Sequence, residues 1–323
     1  MKKSLLFYKI FMPATLGLTV VSLTFNILSL LLTFDMNIGN IKVSHPLAIL
    51  FIFFSSLTIL APIVLTILAK DTKIITRTKK GTLFYKISII VLIAALSALM
   101  VFDIVVLIKE IAKVFAVLNQ STDLTFFGAL TQHFEISKLL RVVLTIPFVA
   151  YLVFEFTENK SKNTFGARAF CNSMAILWCA ITPVVFYFFN GSPPITEYMR
   201  ITYSVAFIFI TIFFLYDFKW NYIETSFRAY APITIASASF SLVLSIASIV
   251  AIIARRDCLL ITNYWDYVSG TSSFKYGIFD IYSVSLFEII ALLALGIFVL
   301  SKAISIFQTV VAVAKSESKG ESK

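Results

Sequence analysis

Hydrophobic residues form long, nearly continuous runs along the chain, and polar residues gather in the stretches between them. Each run supplies about the 20 apolar residues that an α-helix needs to cross the hydrocarbon core of a bilayer. Helices are favoured because the backbone in lipid must satisfy its hydrogen bonds internally. The pattern predicts an all-α, polytopic integral membrane bundle of about eight transmembrane helices in a single domain, residues 1–314. The predicted spans are 11–33, 46–69, 87–108, 139–157, 168–189, 199–217, 229–254 and 280–302.

The composition agrees with this pattern and excludes a soluble protein. Of the 323 residues, 59% are hydrophobic and 14% are charged, and the mean hydropathy is +0.93. Soluble domains have about 45–50% apolar and about 25% charged residues. Lys9 interrupts the first apolar run and no small-residue cleavage site follows, so we predict a retained span and no cleaved signal peptide. Lysine, glutamate and serine make up most of residues 315–323 and predict a disordered cytoplasmic tail.

Lysines and arginines are distributed unevenly between the two sides that eight spans would define. Eighteen of the 27 cations fall on the side that holds both termini. The positive-inside rule predicts that this side is cytoplasmic. The usage of lysine, isoleucine and phenylalanine is typical of an A/T-rich bacterial genome. We therefore expect the cell membrane, in particular a bacterial plasma membrane, with cytoplasmic N- and C-termini.

The largest group of cations on that side lies between the second and third predicted spans. Cations near an anionic membrane surface contribute about 1 kcal/mol each to binding. The group predicts contact with anionic lipid headgroups, and an acidic protein partner is the alternative. Its members are Lys70, Lys73, Arg77, Lys79, Lys80 and Lys86.

Other chemical signals are weak. The formal net charge of +10 comes from cations placed between apolar runs, so we predict no nucleic-acid binding. The three cysteines lack metal-ligand spacing and the two histidines are isolated, so we expect no metal site and no cofactor. The chain has no Walker loop, zinc-protease or nucleophile-elbow motif. These patterns favour a non-enzymatic function, and a lipid-modifying enzyme, which can lack short motifs, remains an alternative.

Glu288 is the clearest candidate for a functional residue. Ionisable residues at bilayer depth are costly and mark sites, and this carboxylate falls about 12 Å into the eighth predicted span at 1.5 Å per residue. Serines recur every four residues in the seventh span and include Ser241 and Ser245. Such a stripe is typical of close helix packing. Beside a buried carboxylate, its hydroxyls could also complete a cation or proton site.

Two further polar residues fall in the outer half of predicted spans. Asn26 lies about 10 Å below the outer end of the first span at the helical rise. Asp103 lies nearer the same surface, where it either reaches the interface or pairs with Arg141. Glu155 and Asp217 stand at the ends of spans, where charged residues need no special role.

The sequence supports two functional hypotheses. A buried carboxylate predicts a proton- or cation-coupled small-solute transporter, with candidate binding residues Glu288, Ser241, Ser245, Asn26 and Asp103. The rival hypothesis is a non-transporting membrane subunit, such as a scaffold, sensor or assembly factor, that docks a partner protein. A protein partner or an oligomer is compatible with both.

Overall fold

The computed structural model describes most of the chain, and within the described residues nearly all of the backbone is α-helical, which confirms the predicted all-α bundle. The described residues are 2–35, 40–41, 44–68, 83–120, 125–134, 136–157, 164–187, 197–222, 227–254, 280–281 and 284–320. The helices within them are α1 (Lys2–Leu32), α2 (Pro46–Leu68), α3 (Leu83–Gln120), α4 (Phe126–His133), α5 (Ile136–Phe156), α6 (Phe165–Tyr187), α7 (Glu197–Tyr222), α8 (Phe227–Ala254) and α9 (Leu286–Gly320).

Seven of these helices have described stretches that are long and apolar enough to cross a membrane. The stretches lie in α1, α3, α5, α6, α7, α8 and α9. Helix α2 has 23 residues, but its described apolar stretch, Pro46–Thr58, is shorter than a span. It packs antiparallel to α1, with the hydroxyls of Ser22 and Ser55 2.7 Å apart and the rings of Phe25 and Phe54 stacked at 5.3 Å. The sequence prediction counts α2 as an eighth span.

Local sequence explains several helix boundaries. Helix α2 begins at Pro46, whose fixed φ and missing N–H suit the first helical position. The short helix α4 begins after Thr125, whose side-chain oxygen accepts the N–H of Gly128 at 3.3 Å as an N-cap. Helix α3 continues to Gln120, well past its predicted end at residue 108. No glycine or proline interrupts this extension, so the helix can propagate beyond the apolar run.

Helix α9 differs from the prediction at both ends. The sequence predicts the eighth span from residue 280, but the helix starts at Leu286. Glu288 therefore lies in its first turn and not about 12 Å inside a span. An antiparallel pair of short strands, β3 (Asp280–Ile281) and β4 (Val284–Ser285), occupies the preceding residues. A similar pair, β1 (Phe34–Asp35) and β2 (Asn40–Ile41), follows α1.

The C-terminal end of α9 lies within the segment predicted as a tail. The helix runs through residues 315–320, which the sequence analysis assigns to a disordered segment, and residues 321–323 lie outside the described part. Between Gly296 and Gly320 the chain has neither glycine nor proline. Each added residue then costs little once the helix exists, so it continues past the apolar stretch.

Six of the described helices close into a ring. Around it, α3 packs on α5, α5 on α6, α6 on α7, α7 on α8, α8 on α9 and α9 on α3. The α1–α2 pair packs against the outside of this ring at α8. The interior is filled by large side chains with no exposed surface, among them Phe148, Trp178, Phe214 and Phe298. These contacts bring α3, α5, α7 and α9, which are distant in sequence, around one centre.

Helices α8 and α9 approach closely at Gly296. A Cβ atom added there would lie 3.1 Å from the Leu242 side chain and 3.2 Å from the Ser241 Cβ. The neighbouring α8 positions Ser237, Ser241 and Ala238 are buried. Small residues on both helices allow this approach, as is common between membrane helices.

Candidate functional site: two buried ion networks

A buried arginine joins two carboxylates from different helices. Arg141 on α5 is 1% exposed. Its Nε and Nη2 donate to Oδ2 and Oδ1 of Asp103 on α3, at 2.7 and 2.6 Å, in a bidentate arrangement. Its Nη1 donates to Oε1 of Glu288 on α9 at 2.5 Å. Both carboxylates are buried as well. We call Asp103, Arg141 and Glu288 the arginine network.

The helical period of α5 accounts for the inward position of Arg141. Lys138, Arg141, Thr145 and Phe148 recur at three- and four-residue intervals and are all buried on one face. The Thr145 hydroxyl donates to the Arg141 carbonyl at 2.8 Å and accepts the Trp178 indole N–H at 2.8 Å. These bonds fix the backbone of α5 beneath the guanidinium. Nearer the N-terminus of α5, Lys138 pairs with a carboxylate of α3, Glu110, at 3.1 Å.

A second network forms around a lysine near the other end of the ring. Lys302 on α9 is 4% exposed, and its Nζ lies 2.9 Å from Glu155 Oε2 on α5. The same Nζ lies 3.1 Å from Asp217 Oδ1 on α7. Three helices thus meet at one ammonium group, as three meet at the guanidinium of the arginine network.

Tyrosine hydroxyls and an asparagine amide donate further hydrogen bonds to the carboxylates of Glu155 and Asp217. Asp217 is fully buried and accepts from Tyr230 at 2.7 Å, from Tyr151 at 2.9 Å and from the Asn221 amide at 3.0 Å. Glu155 accepts from the Tyr85 hydroxyl at 2.6 Å. We call this set the lysine network. It comprises Lys302, Glu155, Asp217, Tyr85, Tyr151, Tyr230 and Asn221.

An aromatic layer separates the two networks. The Phe148 ring lies 5.4 Å from those of both Trp178 and Phe214, and Phe214 stacks on Phe298 at 6.2 Å. Lys302 follows Glu288 by 14 residues on α9, so the networks are about 21 Å apart along the helix at 1.5 Å per residue. All four aromatic side chains are fully buried. The ring therefore has polar clusters toward both ends and an apolar closure between them.

Both networks have an excess of negative charge among their described members. Each contains two carboxylates and one cation, a formal charge of −1 when all are ionised. Burying an uncompensated charge in a low-dielectric interior is costly, and each network would lose its net charge by taking up one proton or one monovalent cation. Within the described residues, no group of three or more His, Cys, Asp or Glu could hold a metal ion.

The serine stripe of α8 hydrogen-bonds within its own helix. Ser241 donates to the Ser237 carbonyl and Ser245 to the Ser241 carbonyl, each at 2.7 Å. Ser237 donates to the Ile233 carbonyl and also to the Phe209 carbonyl of α7. Together with the close approach at Gly296, this geometry supports the packing interpretation of the stripe. The hydroxyls of Ser241 and Ser245 are thus engaged by α8 itself.

Asn26 bridges α1 and α8. Its Nδ2 donates to the Val243 carbonyl at 3.3 Å, and the side chain is 3% exposed. This bond ties the α1–α2 pair to the ring. The structure therefore brings Asp103 and Glu288 together through Arg141, whereas Asn26, Ser241 and Ser245 lie at the contacts of α8 with its neighbours.

Most of the predicted lipid-contact cations, Lys70, Lys73, Arg77, Lys79 and Lys80, lie outside the described residues. Lys86 is described, and its Nζ lies 5.9 Å from the centre of the Phe156 ring. Its half-buried position near the start of α3 is compatible with the predicted headgroup contact.

Sequence reasoning assigned no role to the residues of the lysine network. In the sequence, Glu155 and Asp217 stand at the ends of predicted spans, and Lys302 contributes only to the charge bias. A usable signal was present: Arg141 and Glu155 on α5 are 14 residues apart, as are Glu288 and Lys302 on α9. Fourteen residues are close to four helical turns, so each pair shares one helix face.

The fold and these networks define a class of protein: a multi-pass helical membrane protein with a buried ionic interior. Comparison of the chain with protein families, curated proteins and solved structures found no match.

Proposed function

We propose that this protein is a proton- or cation-coupled small-solute transporter in which Glu288 and Asp217 bind the coupling ion. The observation that carries the proposal is the bond of Arg141 to both Asp103 and Glu288 inside the ring. Buried ionisable residues in membrane helices commonly mark ion pathways.

Each network holds helices together at one end of the ring and would release them there when its ion pairs weaken. The arginine network links α3, α5 and α9, whereas the lysine network links α5, α7 and α9. Protonation of a carboxylate would weaken its ion pair and so release one helix from its partner at that end. The aromatic layer of Phe148, Phe214 and Phe298 would keep the opposite end closed. Alternate weakening of the two networks describes a carrier in which access switches from one side to the other.

The test is ion flux in proteoliposomes. Purified protein is reconstituted with a trapped pH dye, and proton entry is followed under an imposed pH gradient; a sodium dye tests the cation alternative. We expect protein-dependent flux that falls at least tenfold in Glu288→Gln and Asp217→Asn. Glu110→Gln is the matched control, because Glu110 pairs with Lys138 outside both networks and is 13% exposed.

Two results would contradict the proposal. Liposomes containing the protein could show no more proton or sodium entry than empty liposomes. Alternatively, the Glu288 and Asp217 variants could conduct as the wild type does.

A non-transporting subunit is the second candidate, favoured by the length of α3. Its 38 residues extend about 57 Å at 1.5 Å per residue, against about 30 Å for a bilayer core. Helix α4 packs on α3, and exposed apolar side chains lie on both helices. They include Ile111, Phe115, Phe126 and Phe127.

This α3–α4 projection would dock a partner protein, and the ion networks would then act as fixed braces. Mild detergent extraction distinguishes the candidates. A stoichiometric partner that is lost in Phe127→Asp, together with absent ion flux, supports the subunit. Monodisperse protein that conducts ions supports the transporter.

A further inference from the structure

Two side chains on α6 carry buried polar atoms without hydrogen-bond partners among the described residues, Asn172 and the partly exposed Arg168. Asn172 has no exposed surface, and neither its Oδ1 nor its Nδ2 has a partner. Arg168, four residues earlier, has a buried Nε that is equally unpartnered. Leaving a buried donor or acceptor unsatisfied costs about 1–3 kcal/mol. A four-residue spacing places both side chains on the same face of the helix.

Asn172 lies on the buried side of α6, which packs between α5 and α7 of the ring. At one end of the contact between α6 and α7, the Phe165 and Tyr222 rings are 5.2 Å apart, and further along, Trp178 and Phe207 are 6.1 Å apart. The two helices are therefore antiparallel, and Asn172 lies roughly one turn of α7 from the level of Asp217, at 1.5 Å of rise per residue.

Electrostatics agrees with this placement of Arg168. Burial raises the pKa of the Tyr222 phenol, and the Arg168 guanidinium opposes that rise. The guanidinium also interacts electrostatically with Glu155 of the lysine network. Among the described residues, Arg168 forms no ion pair within 4.0 Å.

The chemistry of these groups selects an oxyanion. A guanidinium matches a carboxylate or phosphate group in geometry and charge, and an asparagine amide adds a further donor. Arg168 lies in the first turn of α6, where the helix dipole also favours negative charge. The positive charge of Arg168 balances the formal −1 of the neighbouring carboxylates and Lys302. A bound anion would restore a net negative charge there, which one proton or cation taken up by the lysine network would neutralise.

We propose that Arg168 and Asn172 form a binding site for a small oxyanion, a carboxylate or phosphate group, beside the lysine network. As the solute site of the transporter, this assignment rests on the function proposed above. Anion binding is then coupled to the uptake of one proton or cation, because the two charges neutralise each other in the same region.

The experiment measures the thermal unfolding midpoint of the purified full-length protein in detergent, with sodium acetate, sodium phosphate or, at matched ionic strength, sodium chloride. Calorimetric titration with acetate and phosphate supplies dissociation constants. We expect acetate or phosphate to raise the midpoint by several degrees relative to chloride. Arg168→Gln should lose this response. Ser173→Ala is the matched control, because the Ser173 hydroxyl donates to the Ala169 carbonyl of its own helix.

Asn172→Leu gives a signature that a purely structural asparagine would not. Without added anion this variant should unfold at a higher temperature than the wild type, because an unsatisfied buried amide is removed. It should nevertheless lose the response to acetate or phosphate. A response to acetate alone identifies a carboxylate site, a response to phosphate alone identifies a phosphate site, and a response to both identifies a general oxyanion site.

Two outcomes would overturn the site. Neither anion stabilises the wild type beyond chloride, or the response to acetate and phosphate persists in Arg168→Gln and Asn172→Leu. Arg168→Gln provides the test if Asn172→Leu does not fold. Oxyanion binding without ion flux would contradict the transport proposal alone, whereas ion flux without oxyanion binding would contradict this site alone.

Discussion

Arg141 on α5 binds Glu288 on α9, and 14 residues further along both helices the charges are exchanged, with Glu155 on α5 and Lys302 on α9. The two helices run parallel, because both pairs have the same offset in sequence. A sliding movement of α9 against α5 would therefore strain both ion pairs. This reciprocal arrangement fixes the register of two helices that are distant in the chain.

Removal of Arg141 should destabilise the protein strongly. Arg141→Gln leaves Asp103 and Glu288 buried without their cation, and breaking a buried pair typically costs about 3–5 kcal/mol. Thermal unfolding monitored by circular dichroism measures the loss of stability. Lys113→Gln is the control, expected to change the unfolding temperature little because Lys113 is exposed on α3. Equal unfolding temperatures for the two variants would contradict the central position of Arg141.

The Tyr230 hydroxyl should contribute measurably to the lysine network. It donates to Asp217 at 2.7 Å, and hydrogen bonds to charged groups contribute about 1.5–3 kcal/mol. Tyr230→Phe should lower the free energy of unfolding by that amount in a urea titration of the detergent-solubilised protein. Tyr222→Phe keeps the ring that packs against Phe165 and should change little. A loss in the control as large as that in Tyr230→Phe would argue against the assignment.

Gly296 should not accept a side chain without cost. Gly296→Ala places a Cβ 3.1 Å from Leu242, which forces α8 and α9 apart and should cost about 1–3 kcal/mol by overpacking. Gly17→Ala on α1 is the matched control, since a Cβ there meets nothing within 4 Å. It should be neutral or stabilising, because alanine favours a helix by about 1 kcal/mol over glycine. Thermal unfolding of both variants tests the close contact between α8 and α9. Identical shifts of the unfolding temperature in the two variants would exclude this contact.

The serine stripe should matter little to stability or transport. Ser245→Ala removes only a bond to the carbonyl of its own helix, so we expect a change within about 0.5 kcal/mol and unaltered ion flux. Thr145→Val is the contrast, because the Thr145 hydroxyl accepts from the buried Trp178 indole. An unpaired indole N–H should cost about 1–3 kcal/mol. A large loss of ion flux in Ser245→Ala would mean that the serine stripe forms part of the ion-binding site.

Reporter fusions test the predicted orientation. The cation distribution predicts that both termini are cytoplasmic. Fluorescent-protein fusions at either terminus should then be bright, and alkaline-phosphatase fusions at either terminus inactive. Opposite results at the two ends would mean an odd number of spans, and α2 would then not cross the membrane.

Individual residues show how far sequence reasoning extends to the site. Glu288 stands out because it is a lone carboxylate beside a long apolar run, a local property that needs no knowledge of neighbours. The sequence suggests its partner Arg141 only as a partner for Asp103, since no pattern links residues 141 and 288. Asp217 is surrounded by apolar and aromatic residues near the end of α7, where a solvent-facing and a buried carboxylate have the same sequence context.

The sequence by itself determines that the chain is a helical membrane bundle, because hydrophobic runs of span length act locally and every segment must satisfy its own backbone in lipid. It also places Arg141 and Thr145 on one face of α5, through the helical period. Only the tertiary structure decides that six helices close into a ring and that the carboxylates of α3, α5, α7 and α9 meet two cations inside it. These pairs join segments up to 147 residues apart, and their energy depends on burial and on distances of a few ångströms, which helix packing sets.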